Sequence, residues 1–201
     1  MLTQSSLKRL WIFSSIFLFL TVAIRILPEV QAIDLLVSEY MNVQSEETLV
    51  MMRALTYLWN LWVVATLTVL VFIWLRKYHE VSVNERSVVF SVATTMILSV
   101  VLKFLFSRPR PELSLYEEVW YSYPSFHSAI AVGLYGYIVY LFAVRYPEYK
   151  WTITIVWWGV VLMIALSRVY LNVHYLSDII AGMIIWMLWL LVAIWSDRYR
   201  D

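Results

Sequence analysis

Six long apolar stretches, separated by short polar segments, set the pattern of this chain. They cover residues 10–27, 54–75, 87–106, 125–144, 151–170 and 179–195. Each is close in length to the run of about 20 residues that a helix needs to cross a bilayer. Backbone groups in hydrocarbon must bond within their own segment, and no stretch alternates like a strand of a membrane barrel. We therefore predict an all-α, polytopic membrane protein with six transmembrane helices.

The segment after the first apolar stretch has a helical pattern of its own. Five apolar residues fall on one helical face: Ile33, Leu36, Val37, Tyr40 and Met41. The polar residues Asp34, Ser38 and Glu39 fall elsewhere. This pattern is typical of a short amphipathic helix at the membrane interface, and an ordinary interhelical connector is the alternative. In both cases Pro28 and Glu29 mark the end of the first span.

Composition narrows the class of protein further. Hydrophobic residues make up 62% of the chain and charged residues 14%, whereas soluble domains average about 45–50% and about 25%. These values exclude an ordinary soluble domain and a disordered chain. The lack of cysteine excludes a disulfide-stapled domain and Cys-ligated metal sites. The net charge of +1 offers no basic field for nucleic acid, and without repeats or linkers we expect one domain over residues 1–201.

The distribution of basic residues predicts the orientation in the membrane. With the N-terminus in the cytoplasm, the inner segments hold nine basic residues: Lys8, Arg9, Arg76, Lys77, Arg86, Arg145, Lys150, Arg198 and Arg200. Six spans return the C-terminus to the cytoplasm as well. The first apolar stretch is longer than the core of a typical signal peptide, so we expect an uncleaved helix. A bacterial plasma membrane is the expected location, given the compact length and short loops.

Three polar clusters lie at the ends of spans, and the predicted topology brings all three to the extracytoplasmic face. Their ionisable or nucleophilic members are Lys103 and Arg110, then Ser125 and His127, and finally Arg168, His174 and Asp178. An ionisable residue costs about 2.5–3.5 kcal/mol at the centre of a bilayer, so such groups call for a functional explanation.

These residue types suit phosphate chemistry. Lys103, Arg110 and Arg168 supply cations for a phosphoryl group, and arginine offers a bidentate fork. Ser125 follows Pro124, as expected near the first turn of a helix, where a hydroxyl and free N–H groups form an anion site.

The two histidines supply the reactive groups. If the segment is helical, the i, i+4 spacing places His174 and Asp178 on one face, where the carboxylate orients the imidazole for attack on phosphorus. His127 then protonates the leaving oxygen. No carboxylate cluster is left over to hold a metal, so we predict metal-independent chemistry without a cofactor.

Each of these residues also has an ordinary structural explanation. Lys103 alone would extend to the interface, Ser125 would cap a helix, and His127 would be a hydrogen-bonded core residue. His174 and Asp178 alone would be a structural pair. Only their joint occurrence at one face favours catalysis.

The three clusters also match three motifs in order and in internal spacing. The first runs from Lys103 to Arg110-Pro111, the second is Pro124-Ser125-Phe126-His127, and the third runs from Ser167-Arg168 through His174 to Asp178. In this the chain resembles the type 2 phosphatidic acid phosphatase superfamily of integral-membrane lipid phosphatases. The motifs cover about a third of the chain, and elsewhere the resemblance is one of topology.

The resemblance implies a role for each motif residue. His174 would form a phosphohistidine oriented by Asp178, and His127 would protonate the leaving group. The phosphoryl oxygens would be bound by Lys103, Arg110, Ser125, the Phe126 N–H and Arg168. Motif spacing selects Arg110 over its neighbour Arg108, which is a candidate contact for the substrate head group.

Phe126 departs from the usual motif, which has glycine at this position. A phenylalanine keeps the N–H that would contact phosphate, but it does not readily adopt a positive φ. Because φ is negative at the start of a helix, we expect the substitution to be tolerated.

The leading hypothesis is therefore a phosphatase of membrane lipids that acts at the extracytoplasmic face. The first candidate substrate is undecaprenyl pyrophosphate, which would give undecaprenyl phosphate; phosphatidylglycerol phosphate and phosphatidic acid are the alternatives. A lipid-linked phosphotransferase would use the same phosphohistidine, and a non-catalytic scaffold or transporter is the third class. The sequence leaves the oligomeric state open, since it has no G-x-x-x-G motif.

Overall fold

The computed structural model describes residues 4–41, 45–57, 61–78, 85–115 and 120–198. Regular structure in these ranges is helical throughout, which confirms the predicted all-α class. Within the described ranges, eight α-helices follow one another: α1 Gln4–Ile26, α2 Pro28–Met41, α3 Glu46–Tyr57, α4 Leu61–Tyr78, α5 Glu85–Phe106, α6 Phe126–Arg145, α7 Lys150–Tyr170 and α8 Leu176–Arg198. A 3₁₀ turn, Pro147–Tyr149, joins α6 to α7.

Two of the described helical segments are long and apolar enough to cross a membrane, namely Phe126–Arg145 and Pro147–Tyr170. A third candidate is the pair formed by Ser14–Ile24 and Pro28–Met41, if the two helices are counted as one span bent by 78°. The predicted stretch 54–75 falls on two helices, because α3 ends at Tyr57 and α4 begins at Leu61. Residues 58–60 of that stretch, and Arg200 of the predicted inner segments, lie outside the described residues.

The helix predicted within residues 33–41 is present, and it begins earlier than the periodicity indicated. Pro28 is the first residue of α2 rather than the end of the first span. A proline suits the first turn of a helix because its fixed φ is helical and its missing N–H has no partner to lose there.

The polar side of α2, rather than its apolar side, packs against the protein. Asp34 and Ser38 are buried, whereas three of the five residues on the predicted apolar face are exposed. The other two, Val37 and Met41, are half-buried against α7 and α8. An exposed apolar side facing away from the bundle suits a helix at the membrane interface.

The core is built around α6, which packs against α5, α7 and α8. Tyr137 of α6 and Trp186 of α8 are fully buried there, and the Trp157 indole N–H of α7 donates to the Ala131 carbonyl at 3.0 Å. Glycine permits the close contact of α6 with its neighbours, because a Cβ atom at Gly136 would lie 2.5 Å from a methyl group of α8. This packing fixes the start of α6 against the start of α8, where the polar clusters lie.

Candidate active site

Three segments meet at one end of the helical bundle: the loop after α5, the start of α6 and the link between α7 and α8. The Ser125 N–H at the start of α6 donates to the Asp178 carbonyl at 3.2 Å. In the loop after α5, the Leu115 N–H donates to the Leu171 carbonyl in the α7–α8 link, also at 3.2 Å. The three polar clusters therefore reach the same end of the bundle, as the sequence predicts.

Two cations of the first motif are held by backbone carbonyls. Lys103 is buried, and its Nζ donates to the carbonyls of Tyr121 and Ser122, the second at 3.5 Å. Its ammonium group thus points into the polar site rather than extending to the interface.

Arg110 is anchored in the same way. Its Nε donates to the Trp120 carbonyl at 2.7 Å and its Nη1 to the Val173 carbonyl at 2.6 Å. Arg110 therefore ties the loop before α6 to the segment that carries His174. The third cation, Arg168, is almost fully buried near the end of α7.

The second motif forms the start of α6. Ser125 is the N-cap, and its Oγ accepts from the Ser128 N–H at 3.5 Å and from the Ser128 hydroxyl at 3.1 Å. Pro124 precedes the cap and so lies outside the first turn, where the sequence had suggested a role for it. Phe126 is the first helical residue, and the positive φ angles of the described non-glycine residues belong to Ser107 and Asn172. Its backbone conformation therefore suits phenylalanine, as expected.

A serine from outside the three motifs lies between His174 and Asp178. The Ser122 hydroxyl donates to Asp178 Oδ2 and lies 3.4 Å from His174 Nδ1. The direct distance from His174 Nδ1 to Asp178 Oδ2 is 3.6 Å, which is longer than a hydrogen bond. The Tyr175 N–H also donates to Oδ2, at 3.0 Å. Ser122 thus bridges the pair, and its only sequence signal is its position two residues before Pro124.

The i, i+4 pair does not share one helical face in the way the spacing suggested. α8 begins at Leu176, so His174 lies in the preceding link and Asp178 in the first turn. The two side chains meet because the link folds back over the helix start.

Burial and nearby cations keep the His174 imidazole neutral. Burial lowers its pKa well below the ordinary value for histidine, and the positive charges of Lys103, Arg168 and Arg110 lower it further. The same three cations and His174 interact electrostatically with His127. The five groups thus form one cluster, in which a neutral imidazole is surrounded by positive charge.

Arg108 takes part in a different set of contacts from Arg110. Its Nη1 lies 2.6 Å from Asp178 Oδ1, and its Nη2 lies 2.7 Å from Asp34 Oδ2. Burial alone would lower the pKa of Arg108, but the two carboxylates outweigh it and raise that pKa. Asp34, on α2, is a second site residue without a sequence signal. Within the described part of the chain, no three His, Asp or Glu side chains lie close enough to share a metal ion.

Comparison with known proteins gives related sequences and structures. The chain is 33% identical over 93 residues to phosphatidylglycerophosphatase B of Bacillus subtilis strain 168, a match over 44% of this chain. The match spans about half of that relative's length, 46%.

Two solved structures share the fold. The crystal structure of the first transmembrane PAP2 type phosphatidylglycerolphosphate phosphatase, from Bacillus subtilis, matches with a TM-score of 0.88 and 25% identity, over 96% of this chain and 97% of that one. The crystal structure of Aquifex aeolicus LpxE matches with a TM-score of 0.64 and 21% identity, over 80% and 93% of the two chains.

The apolar helices and this fold identify the chain as an integral membrane protein. The sequence model of the PAP2 superfamily, the type 2 phosphatidic acid phosphatases, matches residues 85–201. This range is more than half of the chain and contains all three motifs. The chain therefore belongs to the PAP2 superfamily.

Proposed function

We propose that the protein is a metal-independent phosphatase of membrane lipids that works through a phosphohistidine at His174. The observation that carries the proposal is the buried imidazole of His174, whose pKa is lowered by burial and by three nearby cations, with Ser122 and Asp178 beside its Nδ1. When Nδ1 of a neutral imidazole carries the proton and is held by a partner, Nε2 keeps a free lone pair that can attack phosphorus.

In the first step, His174 Nε2 attacks phosphorus and the bond from phosphorus to the leaving oxygen breaks. His127 enters this step in its protonated form, with its charge balanced by the bound phosphoryl group, and gives its proton to the leaving oxygen. Lys103, Arg110 and Arg168 stabilise the negative charge on the phosphoryl oxygens, together with the Ser125 hydroxyl and the Phe126 N–H. The products of this step are the dephosphorylated lipid and a phosphohistidine.

In the second step, water attacks the phosphohistidine and the bond from phosphorus to Nε2 breaks. His127 takes the proton from water and is thereby restored to its protonated form. Inorganic phosphate leaves and His174 returns to neutral imidazole. The two steps together consume one water for each phosphate released.

Phosphatidylglycerol phosphate is the first substrate that we propose to test. The support comes from the activity named for Bacillus subtilis phosphatases that this chain resembles in sequence and in structure. Undecaprenyl pyrophosphate and phosphatidic acid present the same terminal phosphoryl group, so they complete the panel.

The proposal places the protein in a bacterial plasma membrane with six spans, both termini in the cytoplasm and the site on the extracytoplasmic side. Its support is the position of Arg145 and Lys150, which lie at the end of the α6–α7 pair opposite the site. Basic residues favour the cytoplasmic side.

The test is phosphate release by the purified full chain in detergent with EDTA, with His174→Ala as the blank. We expect release from at least one lipid, with no turnover in His174→Ala, whose thermal unfolding should resemble that of the parent. Asp178→Asn should lower turnover strongly but retain some activity. Turnover in His174→Ala equal to the parent would refute the nucleophile, and no release by the parent from any lipid would refute the phosphatase.

The fate of water separates hydrolysis from phosphotransfer. In water enriched in ¹⁸O, hydrolysis puts one labelled oxygen into each phosphate released. Consumption of the donor without labelled phosphate would instead indicate a phosphotransferase, the alternative that uses the same intermediate.

A further inference from the structure

The two oxygens of Asp178 face different parts of the molecule. Oδ2 accepts from the Ser122 hydroxyl and from the Tyr175 N–H, on the side of His174. Oδ1 lies 2.6 Å from Arg108 Nη1 on the other side. The Asp178 carboxylate is 0% exposed. Its orientation is therefore set jointly by the contacts on the catalytic side and by Arg108.

Arg108 is itself held in place by the start of α8 and by α2. Its Nη1 donates to the Ser177 hydroxyl at 2.8 Å, and its Nη2 donates to Asp34 Oδ2 at 2.7 Å. Its guanidinium carbon lies 4.2 Å from the centroid of the Tyr175 ring, at cation–π distance. The planar guanidinium is thus held by hydrogen bonds at both Nη atoms and by the ring against its face, so it has little freedom to rotate.

Asp34 ties this arrangement to α2. Its Oδ1 accepts from the Ser177 N–H at 3.0 Å, and its Oδ2 accepts from the Ser177 hydroxyl. The Asp34 side chain is 2% exposed and carries its charge at the N-terminal end of α8, where a helix favours an anion. The polar side of α2 therefore helps to hold Arg108 and the start of α8 in place.

The contacts of Arg108 argue against its being a substrate ligand. Both of its Nη atoms contact protein carboxylates, at 2.6 and 2.7 Å. It lines a cavity of about 530 Å³ together with Asp34 and Tyr175. Among the described residues that line this cavity, none belongs to the phosphate-binding set or to the two histidines. Arg108 thus lies behind Asp178 as seen from His174.

We propose that Arg108 and Asp34 are positioning residues, which hold Asp178 with Oδ2 towards Ser122 and His174. The inference rests on the proposed phosphatase function. Removal of Arg108 leaves both carboxylates without their shared counter-charge, and removal of Asp34 leaves the guanidinium held by Asp178 alone and free to shift. In either case Asp178 loses the orientation that turns Oδ2 towards the catalytic side.

The first test compares kcat and KM of the parent, Asp34→Asn and Arg108→Gln. We expect kcat to fall about 10- to 100-fold, by analogy with the loss of residues that orient metal ligands through a hydrogen bond, with KM little changed. Arg108→Lys should fall similarly, because an ammonium group does not bridge two carboxylates as a planar fork does. Glu39→Gln, an exposed acid on the same helix, is the matched control and should behave like the parent.

The second test asks whether Arg108 acts through Asp178. In an Asp178→Asn background, the further change Arg108→Gln should cause no additional loss of kcat, because the carboxylate to be positioned is already gone. If the residual activity of Asp178→Asn is too low to measure, a double-mutant cycle that combines Asp34→Asn with Arg108→Gln is measured instead. There too the second substitution should add little.

Several outcomes would overturn the inference while leaving the phosphatase intact. A raised KM with unchanged kcat in Arg108→Gln would make Arg108 a substrate contact. If Arg108→Gln lowers kcat by the same factor in the parent and in Asp178→Asn, the network is merely structural. The same holds if the loss of kcat in the variants parallels a loss of thermal stability. Parent-like kcat in both single variants would also refute it. A parent no more active than His174→Ala would refute the phosphatase itself, and this inference with it.

Discussion

At the scale of residues, the site combines a neutral nucleophile with fixed positive charge. The Ser122 hydroxyl donates to Asp178, so its lone pairs face His174 Nδ1 at 3.4 Å. A proton on Nδ1 is favoured by this acceptor, and the lone pair then lies on Nε2. The hydrogen bonds therefore select the tautomer that can attack phosphorus.

The lowered pKa of His174 predicts activity that persists into acid solution. Only the neutral imidazole attacks, so activity is lost as pH falls through the lowered pKa rather than near the ordinary value of about 6.5. The same shift makes the unfolded chain bind a proton more readily, so the contribution of His174 to stability declines as pH falls below about 6.5. The measurement is the pH profile of kcat/KM for the parent.

Arg110→Gln provides the comparison for this profile. It removes one of the charges that lower the pKa of His174, so the acid limb should move to higher pH although the overall rate falls. Ionisation of the substrate phosphate is common to both proteins and cancels in the difference. An acid limb at the same pH in both would contradict the electrostatic account.

Motif spacing identified most of the side chains that the fold gathers. Lys103, His127 and His174 were found in this way because they recur at characteristic intervals in three short segments. Ser122 and Asp34 were not, because each is an ordinary polar residue within its own segment. Asp34 is 74 positions from Arg108 in the chain, and no local pattern encodes a contact over that distance.

At the scale of elements, periodicity predicted the presence of α2 but not the side that packs. An apolar face on a helix in a membrane protein can meet either lipid or protein, and the pattern alone does not distinguish them. The deciding contacts are polar: the Ser38 hydroxyl donates to Asn172 Oδ1 at 2.6 Å, and Asn172 Nδ2 donates to the Ser38 carbonyl at 3.0 Å. They dock α2 beside the α7–α8 link, where Asn172 adopts a positive φ of 55°.

Two helical glycines are expected to respond differently to substitution, because Gly182 of α8 lies against the start of α6 and Gly159 of α7 has open space beside it. A Cβ atom at Gly182 would lie 2.9 Å from the Ser125 carbonyl oxygen, so Gly182→Ala must displace the start of α6. We expect a loss of about 1–3 kcal/mol in stability, as for other overpacked sites, and a fall in kcat because Ser125 moves. At Gly159 a Cβ atom would meet nothing within 4 Å, so Gly159→Ala should be neutral or slightly stabilising.

Thermal unfolding and phosphate release in detergent check both glycine variants side by side. Equal effects of the two substitutions would show that helix propensity, rather than the contact with Ser125, governs the response. A fully active Gly182→Ala would mean that the start of α6 shifts without cost to the site.

At the scale of the whole molecule, the site draws on helices from both halves of the chain. α5 to α8 carry the three motifs, while α1 and α2 close the site from the side. The Thr21 hydroxyl of α1 lies 2.7 Å from the Tyr123 hydroxyl, and the Phe17 ring stacks on that of Tyr123. Such contacts follow from how helices pack in three dimensions, so the sequence could place the motifs at one end of the bundle without showing what covers them.

The absence of cysteine from the chain makes the proposed topology directly testable. Single cysteines are introduced at four exposed positions: Lys8, Ser45, Glu112 and Glu148. With six spans and the N-terminus inside, a membrane-impermeant maleimide should label the cysteines at 45 and 112 in intact cells. Those at 8 and 148 should react only after permeabilisation, because the positive-inside distribution places both in the cytoplasm. Each variant must retain phosphate release, so that labelling reports the native fold.

The four positions separate the ways in which the topology can fail. Labelling at 8 and 148 but not at 45 and 112 would mean that the protein has the opposite orientation in the membrane, with the site on the cytoplasmic side. Labelling of 112 without 45 would mean that α1 does not cross the membrane as proposed, whereas α5 to α8 keep their orientation. The predicted pattern would place His174 where it meets lipids of the outer leaflet, which are then the substrates to be ranked.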